Sequence, residues 1–199
     1  MFRFVLYIVL GSPGIVLGFW VWSDASKSTF YLGADPAEYI LQVCGTTAAS
    51  LMIATLLFSP LRRFRLMPVS LLQFRRPIGV ASFFYALFHA LVFVQFYVGW
   101  STRALGHELL ERPYILVGAM ALLMMSLLAI TSNNWSLRVL VHRWRSLHRL
   151  NYVVAMLFVI HFFWQVRADY FEFALFLSLV IFALGERAWR HYARWKGLG

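Results

Sequence analysis

Six long apolar runs limit what this chain can fold into more than any other feature of its sequence. A helix needs about 20 apolar residues to cross the hydrocarbon core of a membrane, and the runs approach or reach that length. They cover residues 4–22, 38–59, 77–98, 113–131, 150–166 and 170–185. Only 13% of the residues are charged, about half the share usual in soluble domains. We therefore predict an all-α integral membrane protein of six transmembrane helices, in which residues 1–199 form a single domain.

The basic residues are concentrated in every second connection between these runs. With the N-terminus inside, 14 of the 18 Lys and Arg residues are on the inner side. They are Arg3, Arg62, Arg63, Arg65, Arg75, Arg76, Arg138, Arg143, Arg145, Arg149, Arg187, Arg190, Arg194 and Lys196. The outer side holds the other four, which are Lys27, Arg103, Arg112 and Arg167. It also holds seven of the eight acidic residues, namely Asp24, Asp35, Glu38, Glu108, Glu111, Asp169 and Glu172.

This distribution predicts the orientation of the chain. The positive-inside rule places the basic side in the cytoplasm, so both termini are predicted to be cytoplasmic. The formal net charge of +10 then follows from orientation and from contact with anionic lipid of the bilayer. Nucleic acid is therefore not an expected partner.

Two histidines stand deep inside separate apolar runs. His89 lies 12 residues after Pro77 in the third run, and His161 lies 12 residues after Arg149 in the fifth. A helix rises about 1.5 Å per residue, so each ring is about 18 Å from the inner edge of the membrane. Because these two runs cross in the same direction, the rings share one depth. Either each histidine makes a separate interhelical hydrogen bond, or, as we favour, both are axial ligands of one haem b iron.

A third histidine and two arginines form a possible second site at the inner end of these runs. His148 precedes His161 by 13 residues, which puts the two rings about 140° apart around a straight helix. Both face one bundle interior only if the helix bends or rotates. A matching histidine for a second haem would stand 13 or 14 residues before His89, where the chain has Arg76 and Arg75. The cluster is either a contact with lipid headgroups or an electron-entry site for a quinone, a flavin phosphate or a second haem.

The remaining candidate residues are not expected to bind a cofactor or to take part in catalysis. His107, His142 and His191 stand beside charged residues, so we expect them to be solvated. Cys44 is the single cysteine and is expected to be a small core residue rather than a ligand. Residues 102–111 are expected to form a short helix on the outer surface. The sequence has no Ser-His-Asp set, no paired carboxylates within a run and no glycine-rich phosphate loop, so hydrolysis is not expected.

Several short motifs resemble the ferric-reductase-like transmembrane superfamily, which includes the NADPH oxidases and metalloreductases. They are Leu32-Gly-Ala-Asp-Pro36, Arg75-Arg76, Leu87-Phe-His89, Arg112-Pro-Tyr114, Ile130-Thr-Ser132 and Trp144-x3-His148-x12-His161-x2-Trp164. Within that superfamily their order and spacing are most similar to the haem-binding membrane subunits of periplasmic methionine sulfoxide reductase systems. The resemblance implies a ferric-reductase-like haem-binding bundle, with haem b on His89 and His161. It also implies His148 as a further haem-associated ligand and FMN as an additional cofactor. Because this chain has arginine where oxidase members carry their inner histidine, a regular second bis-histidine haem is not expected.

The resemblance also implies a function. Such a subunit is not itself catalytic and lies in the bacterial inner membrane. It passes electrons from the quinone pool, or from a cytoplasmic flavin donor, to a periplasmic molybdopterin-containing subunit that reduces methionine sulfoxide in oxidised proteins. The alternatives are a stand-alone membrane metalloreductase or, from a different class, a small proton-coupled transporter or an assembly scaffold.

Overall fold

A computed structural model describes residues 2–27, 29–166 and 170–197 of the chain. Within these residues the regular structure is entirely helical. The α-helices are α1 (Phe2–Lys27), α2 (Pro36–Arg63), α3 (Arg75–Phe93), α4 (Thr102–Glu111), α5 (Pro113–Ile130), α6 (Asn134–Leu140), α7 (His142–Leu147), α8 (Leu150–Phe163) and α9 (Phe171–Trp195). A 3₁₀ segment (Val69–Phe74) precedes α3 and a π segment (Val94–Val98) extends it. Arg167, Asp169 and the side chain of Arg3 lie outside the described residues.

Five helical segments of the described chain are long and apolar enough to span a membrane. They are Phe4–Lys27, Pro36–Arg63, Val69–Val98, Pro113–Ile130 and His142–Phe163. The predicted all-helical, multi-pass membrane protein is therefore confirmed. The sixth predicted run lies in α9, where Glu172 and Glu186 enclose only residues 173–185. This uncharged stretch is shorter than the roughly 20 residues of a typical span, so six spans and cytoplasmic termini stay predictions.

The start of α2 illustrates how the sequence encodes the helix boundaries. Asp35 is the N-cap, and its carboxylate accepts a hydrogen bond from the Glu38 amide at 3.0 Å. Pro36 occupies the first helical position, where a missing N–H costs nothing and the fixed φ favours the helix. The predicted surface helix of residues 102–111 is also present as α4, and it begins with Ser101 accepting from the Ala104 amide.

The first helix is attached to the third by one tyrosine. The Tyr85 hydroxyl donates to the Leu10 carbonyl at 2.8 Å and accepts from the Gly14 amide at 3.0 Å. Leu10 and Gly14 are four residues apart and flank Pro13, the kind of position at which helices bend. A side chain from α3 therefore completes the hydrogen bonding of α1 where proline weakens it.

The helices pack as two extensive pairs, α2 with α3 and α5 with α8. The main core lies where α2, α5, α8 and α9 meet. Its buried members are Ala49, Met52, Ile53, Leu56, Leu128, Val154, Ala155, Phe176, Val180 and Ala183. Alanines in this set allow the backbones to approach closely, as in membrane bundles generally. A second, smaller cluster packs Cys44 against Leu17 and Leu32, so the cysteine is a buried core residue as expected.

The connection between α5 and α8 differs from the sequence-based expectation. The fifth run was predicted to begin at residue 150, but the helical segment reaches back to His142 and is interrupted at His148 and Arg149. Val141, with φ of 42°, separates α6 from α7. A β-branched residue rarely adopts this conformation, so the corner is sharp. The helix before residue 150 was not predicted, because its charged residues interrupt the apolar pattern on which the prediction was based.

Candidate functional site

The structure brings together the two histidines that lie deep inside apolar runs. His89 extends from α3 and His161 from α8, and their ring centres are 6.3 Å apart with an interplanar angle of 82°. Neither ring is fully buried by protein. The two rings, predicted from the sequence to lie at equal depth, are thus close to each other. They extend from two helices that both begin at the arginine-rich side. We call these two residues the histidine pair.

Each ring of the histidine pair is held by a backbone carbonyl of a neighbouring helix. Nδ1 of His89 lies 2.9 Å from the Leu41 carbonyl oxygen of α2. Nδ1 of His161 lies 2.7 Å from the Tyr114 carbonyl oxygen in the first turn of α5. A carbonyl only accepts, so Nδ1 must be the protonated nitrogen in both rings. Nε2 then carries the lone pair in both, which is the tautomer that a metal requires.

The separation of the two ring centres is compatible with both imidazoles holding one metal ion. Metal–nitrogen bonds to imidazole are about 2.0 Å and the nitrogen is roughly 1.1 Å from the ring centre, so two such rings have centres about 6 Å apart. In the described residues no group of three or more His, Cys, Asp or Glu side chains could hold a metal ion. Two imidazoles without further ligands fit haem iron, whose other four positions are filled by the porphyrin.

The second predicted cluster lines a cavity of about 490 Å³ between α2, α3, α5 and α7–α8. We call it the arginine cavity. Its basic lining residues are Arg75, Arg76, Arg145, His148 and Arg149, and no acidic side chain lies among its described lining residues. Its volume is in the range of small-molecule sites. The charge of its walls favours an anionic ligand, for which arginine provides paired donors.

His148 has different surroundings from the histidine pair. Its Nε2 lies 3.3 Å from Thr131 Oγ1, while that hydroxyl donates to the Leu127 carbonyl at 2.7 Å. Since a hydroxyl has one hydrogen, Nε2 of His148 acts as the donor here. The ring also stacks on Trp144 with centres 3.9 Å apart. This arrangement supports a hydrogen-bonding role for His148, one of the options left open by the sequence.

The two arginines are brought to the same cavity but are held differently. Arg76 donates to Asn134 Oδ1 at 2.8 Å and its guanidinium lies 5.9 Å from the Trp144 ring centre. Arg75 lines both this cavity and an adjoining cleft with Arg62 and Arg190. The three other histidines, His107, His142 and His191, are exposed as expected, and none of them lines the arginine cavity.

A comparison with known protein families identifies the family of this chain. The family described as the ferric reductase like transmembrane component matches residues 44–159 of the chain, which is more than half of its length. The chain belongs to this family. The matched region contains His89 and His148 and ends two residues before His161.

Relatives in the ferric reductase like family extend the match over most of the chain. The protein-methionine-sulfoxide reductase heme-binding subunit MsrQ of Xanthomonas campestris pv. campestris (strain B100) is 36% identical over 179 residues, covering 90% of this chain and 82% of that protein. The protein of the same name from Xanthomonas oryzae pv. oryzae (strain MAFF 311018) gives the same values. The one from Brucella ovis is 35% identical over 174 residues, covering 87% and 78%.

These matches confirm the resemblance inferred from the short motifs. A stretch of 179 residues in a chain of 199 must include both members of the histidine pair. No solved structure matches this ferric reductase like chain.

Sequence reasoning missed several residues that surround the histidine pair. The Leu41 and Tyr114 carbonyls orient the histidine pair, and Gly45 and Gly118 lie against its rings. Backbone acceptors leave no mark in a sequence. The glycines were visible, but they are common in membrane helices and only the packing shows which of them contact a functional ring.

Proposed function

We propose that this chain is a haem b-binding membrane subunit that transfers electrons to a periplasmic, molybdopterin-containing methionine sulfoxide reductase for the repair of oxidised proteins. The observation that carries the proposal is the histidine pair, in which both Nδ1 atoms are hydrogen-bonded to backbone carbonyls. In the part of the chain that the structure describes, neither Nε2 atom has a hydrogen-bond partner, so both can coordinate a metal. The relatives support it, because they are named heme-binding subunits of a protein-methionine-sulfoxide reductase.

In this proposal the chain binds the haem and determines the depth of the haem in the membrane. His89 and His161 would hold the iron through Nε2, and a haem bound there would supply a one-electron redox couple in place of a proton or hydride carrier. Leu41 and Tyr114 fix the tautomer and orientation of the two rings. Leu41 is the sixth residue of α2 and Tyr114 the second residue of α5. Both therefore lie near the starts of their helices, and the pair is near the side opposite the arginines. Electrons would therefore leave on the side where the acidic loops lie.

The arginine cavity is the proposed entry site for electrons. Its position at the opposite end of α8 and its basic lining support binding of a membrane quinone or of a flavin donor from the cytoplasm. FMN, implied by the family resemblance, would suit the cavity through its phosphate, because Arg75 and Arg76 can each donate to two oxygens. His148, whose Nε2 donates to Thr131, would accept a hydrogen bond at Nδ1 from the bound ring system.

The proposed orientation is six spans in the bacterial inner membrane with both termini in the cytoplasm. It is supported by the distribution of 18 basic and 8 acidic residues and by α9, whose arginines lie in its C-terminal half and which is followed by Lys196. A reporter fused after the last residue is expected to be active only in the cytoplasm, and one inserted near Ala104 only in the periplasm. A periplasmic C-terminal reporter would reverse the proposed direction of electron transfer.

A spectroscopic and kinetic experiment tests the proposed function. Purified protein is expected to be red, with a low-spin b-type spectrum that changes on reduction. The reduced protein is also expected to pass electrons to the molybdopterin subunit when a substrate that contains methionine sulfoxide is present. A colourless protein would contradict the haem and favour a transporter or scaffold. A haem protein that reduces ferric or cupric ions at full rate but does not reduce the molybdopterin subunit would favour a metalloreductase.

A further inference from the structure

We infer that Gly45 and Gly118 are positioning residues for the histidine pair, because each exposes the backbone carbonyl to which one ring is bound. The inference deepens the proposed function and rests on it for the role of iron. The hydrogen-bonding part concerns only this chain and can be tested without a cofactor.

The first half of the arrangement lies between α2 and α3. A Cβ atom placed on Gly45 would be 3.0 Å from Nδ1 of His89 and 3.2 Å from its Cε1. The same Nδ1 is bound to the carbonyl of Leu41, four residues before Gly45. The ring therefore lies directly over the glycine and against the turn that precedes it.

The second half repeats this arrangement between α5 and α8. A Cβ atom on Gly118 would be 2.9 Å from both Nδ1 and Cε1 of His161. Nδ1 of that ring is bound to the carbonyl of Tyr114, again four residues before the glycine. Two unrelated helix pairs thus use the same spacing of carbonyl and glycine for the same purpose.

Helix geometry explains why glycine is needed at the fourth position. Every Cα–Cβ bond of an α-helix leans towards the N-terminus, so the side chain of one residue covers the carbonyl of the preceding turn. That carbonyl already accepts the amide of the residue four positions later. A small hydroxyl can reach the second lone pair beside a covering side chain, as Ser82 Oγ reaches the Ala48 carbonyl although Met52 stands four residues later. A flat imidazole that lies directly over the helix needs more room, and glycine at the fourth position provides it.

The neighbour that a new methyl group would meet has little freedom to move. Each imidazole is held on one side by its carbonyl at 2.9 or 2.7 Å and, in the proposed holoprotein, by iron on the other. Adding a methyl group must lengthen the Nδ1 hydrogen bond or tilt Nε2 away from the metal. The hydrogen bond from Nδ1 makes the imidazole a more basic ligand, which stabilises ferric iron. Its loss should therefore raise the reduction potential of the bound haem.

The test compares four single variants of the full-length protein. Gly118→Ala and Gly45→Ala introduce the methyl group against a histidine, whereas Gly18→Ala in α1 and Gly185→Ala in α9 introduce it into open space. We expect Gly118→Ala to weaken haem binding by roughly 10–100-fold, the usual effect of losing a partner of a metal ligand. Its midpoint potential should become more positive and its low-spin signal should broaden. Gly45→Ala should change in the same direction by less, because its contact is less close, and both controls should match the wild type.

Two further measurements separate the possible failures. Wild-type haem affinity and potential in Gly118→Ala would overturn the inference while leaving the proposed function intact. If Gly118→Ala does not accumulate in the membrane, the haem affinity and midpoint potential of Gly45→Ala serve as the test instead. A loss of haem in the Gly18→Ala control equal to that in Gly45→Ala would overturn the inference. A wild-type protein that binds no haem would instead contradict the proposed function. In that case imidazole ¹⁵N spectra decide, since protonated Nδ1 in the wild type and its loss in Gly118→Ala are expected.

Discussion

The histidine pair and the arginine cavity use the same residue type in opposite ways. In the pair, His89 and His161 donate from Nδ1 to backbone carbonyls at 2.9 and 2.7 Å, which leaves Nε2 for a metal. In the cavity, Nε2 of His148 is occupied by a hydroxyl at 3.3 Å. The pair is held by two rigid helices, whereas the cavity is lined by long arginine side chains.

This difference indicates what each region can bind. A backbone acceptor fixes both the tautomer and the plane of an imidazole, so the pair is preorganised for coordination. A ring held by a long hydrogen bond and by stacking on Trp144 can shift when a ligand enters. We therefore expect a permanently bound cofactor at the pair and an exchangeable ligand in the cavity.

The largest effect is expected from removing one histidine of the pair. His89→Ala and His161→Ala each remove one of the two proposed iron ligands, so each variant should lose most of its haem, by more than the 10–100-fold typical of a supporting hydrogen bond. Remaining haem should be high-spin. His148→Ala is the matched control and should keep most of its haem. Haem per polypeptide, measured as the pyridine haemochrome, decides the matter. Wild-type spectra in both pair variants would contradict the assignment of the ligands.

A smaller effect is expected from the cavity. The double variant Arg76→Ala with His148→Ala removes a charged and a neutral donor, and hydrogen bonds from charged groups contribute about 1.5–3 kcal/mol. Reduction of the haem by its physiological donor should slow by roughly tenfold or more, while dithionite should still reduce it fully. Stopped-flow absorbance measures both rates. Physiological reduction at the wild-type rate would show that this cluster serves orientation and lipid contact alone.

The smallest effect is expected from removing the hydroxyl that contacts His148. Thr131→Val removes the hydroxyl near His148 and preserves side-chain shape, and the lost interaction is long and worth about 1 kcal/mol or less. Donor-dependent reduction should change by less than about fivefold, with unchanged haem content. The same stopped-flow assay serves as the measurement. A change as large as in the double variant would mean that Thr131 fixes His148 as firmly as the carbonyls fix the pair.

The parts of the fold that follow from hydropathy could be predicted from the sequence. Five of the six runs coincide with helices able to span a membrane. The sixth run lies between Glu172 and Glu186, and the uncharged stretch between them is shorter than a typical span. The helix before His148 was missed, since its basic residues interrupt the apolar pattern that reveals a span.

The candidate site was predicted to the level of side chains but not of the backbone. Matching distances from the inner edge brought His89 and His161 to one depth, and the structure places their rings together. Which nitrogen of each ring is protonated depends on the carbonyls of Leu41 and Tyr114. That information arises only when helices pack, because every residue has a carbonyl.

The 13-residue offset between His148 and His161 has an energetic consequence in a living cell. At about 1.5 Å per residue the two levels are about 20 Å apart, roughly two thirds of the hydrocarbon core. In the proposed orientation an electron moving from the cavity to the pair travels outward, away from the negative interior. A membrane potential of 100 mV acts with about 2.3 kcal/mol on a charge crossing the whole membrane, hence with about 1.5 kcal/mol over this distance. Repair of oxidised proteins outside the cell membrane would then be driven in part by the energised state of the cell itself.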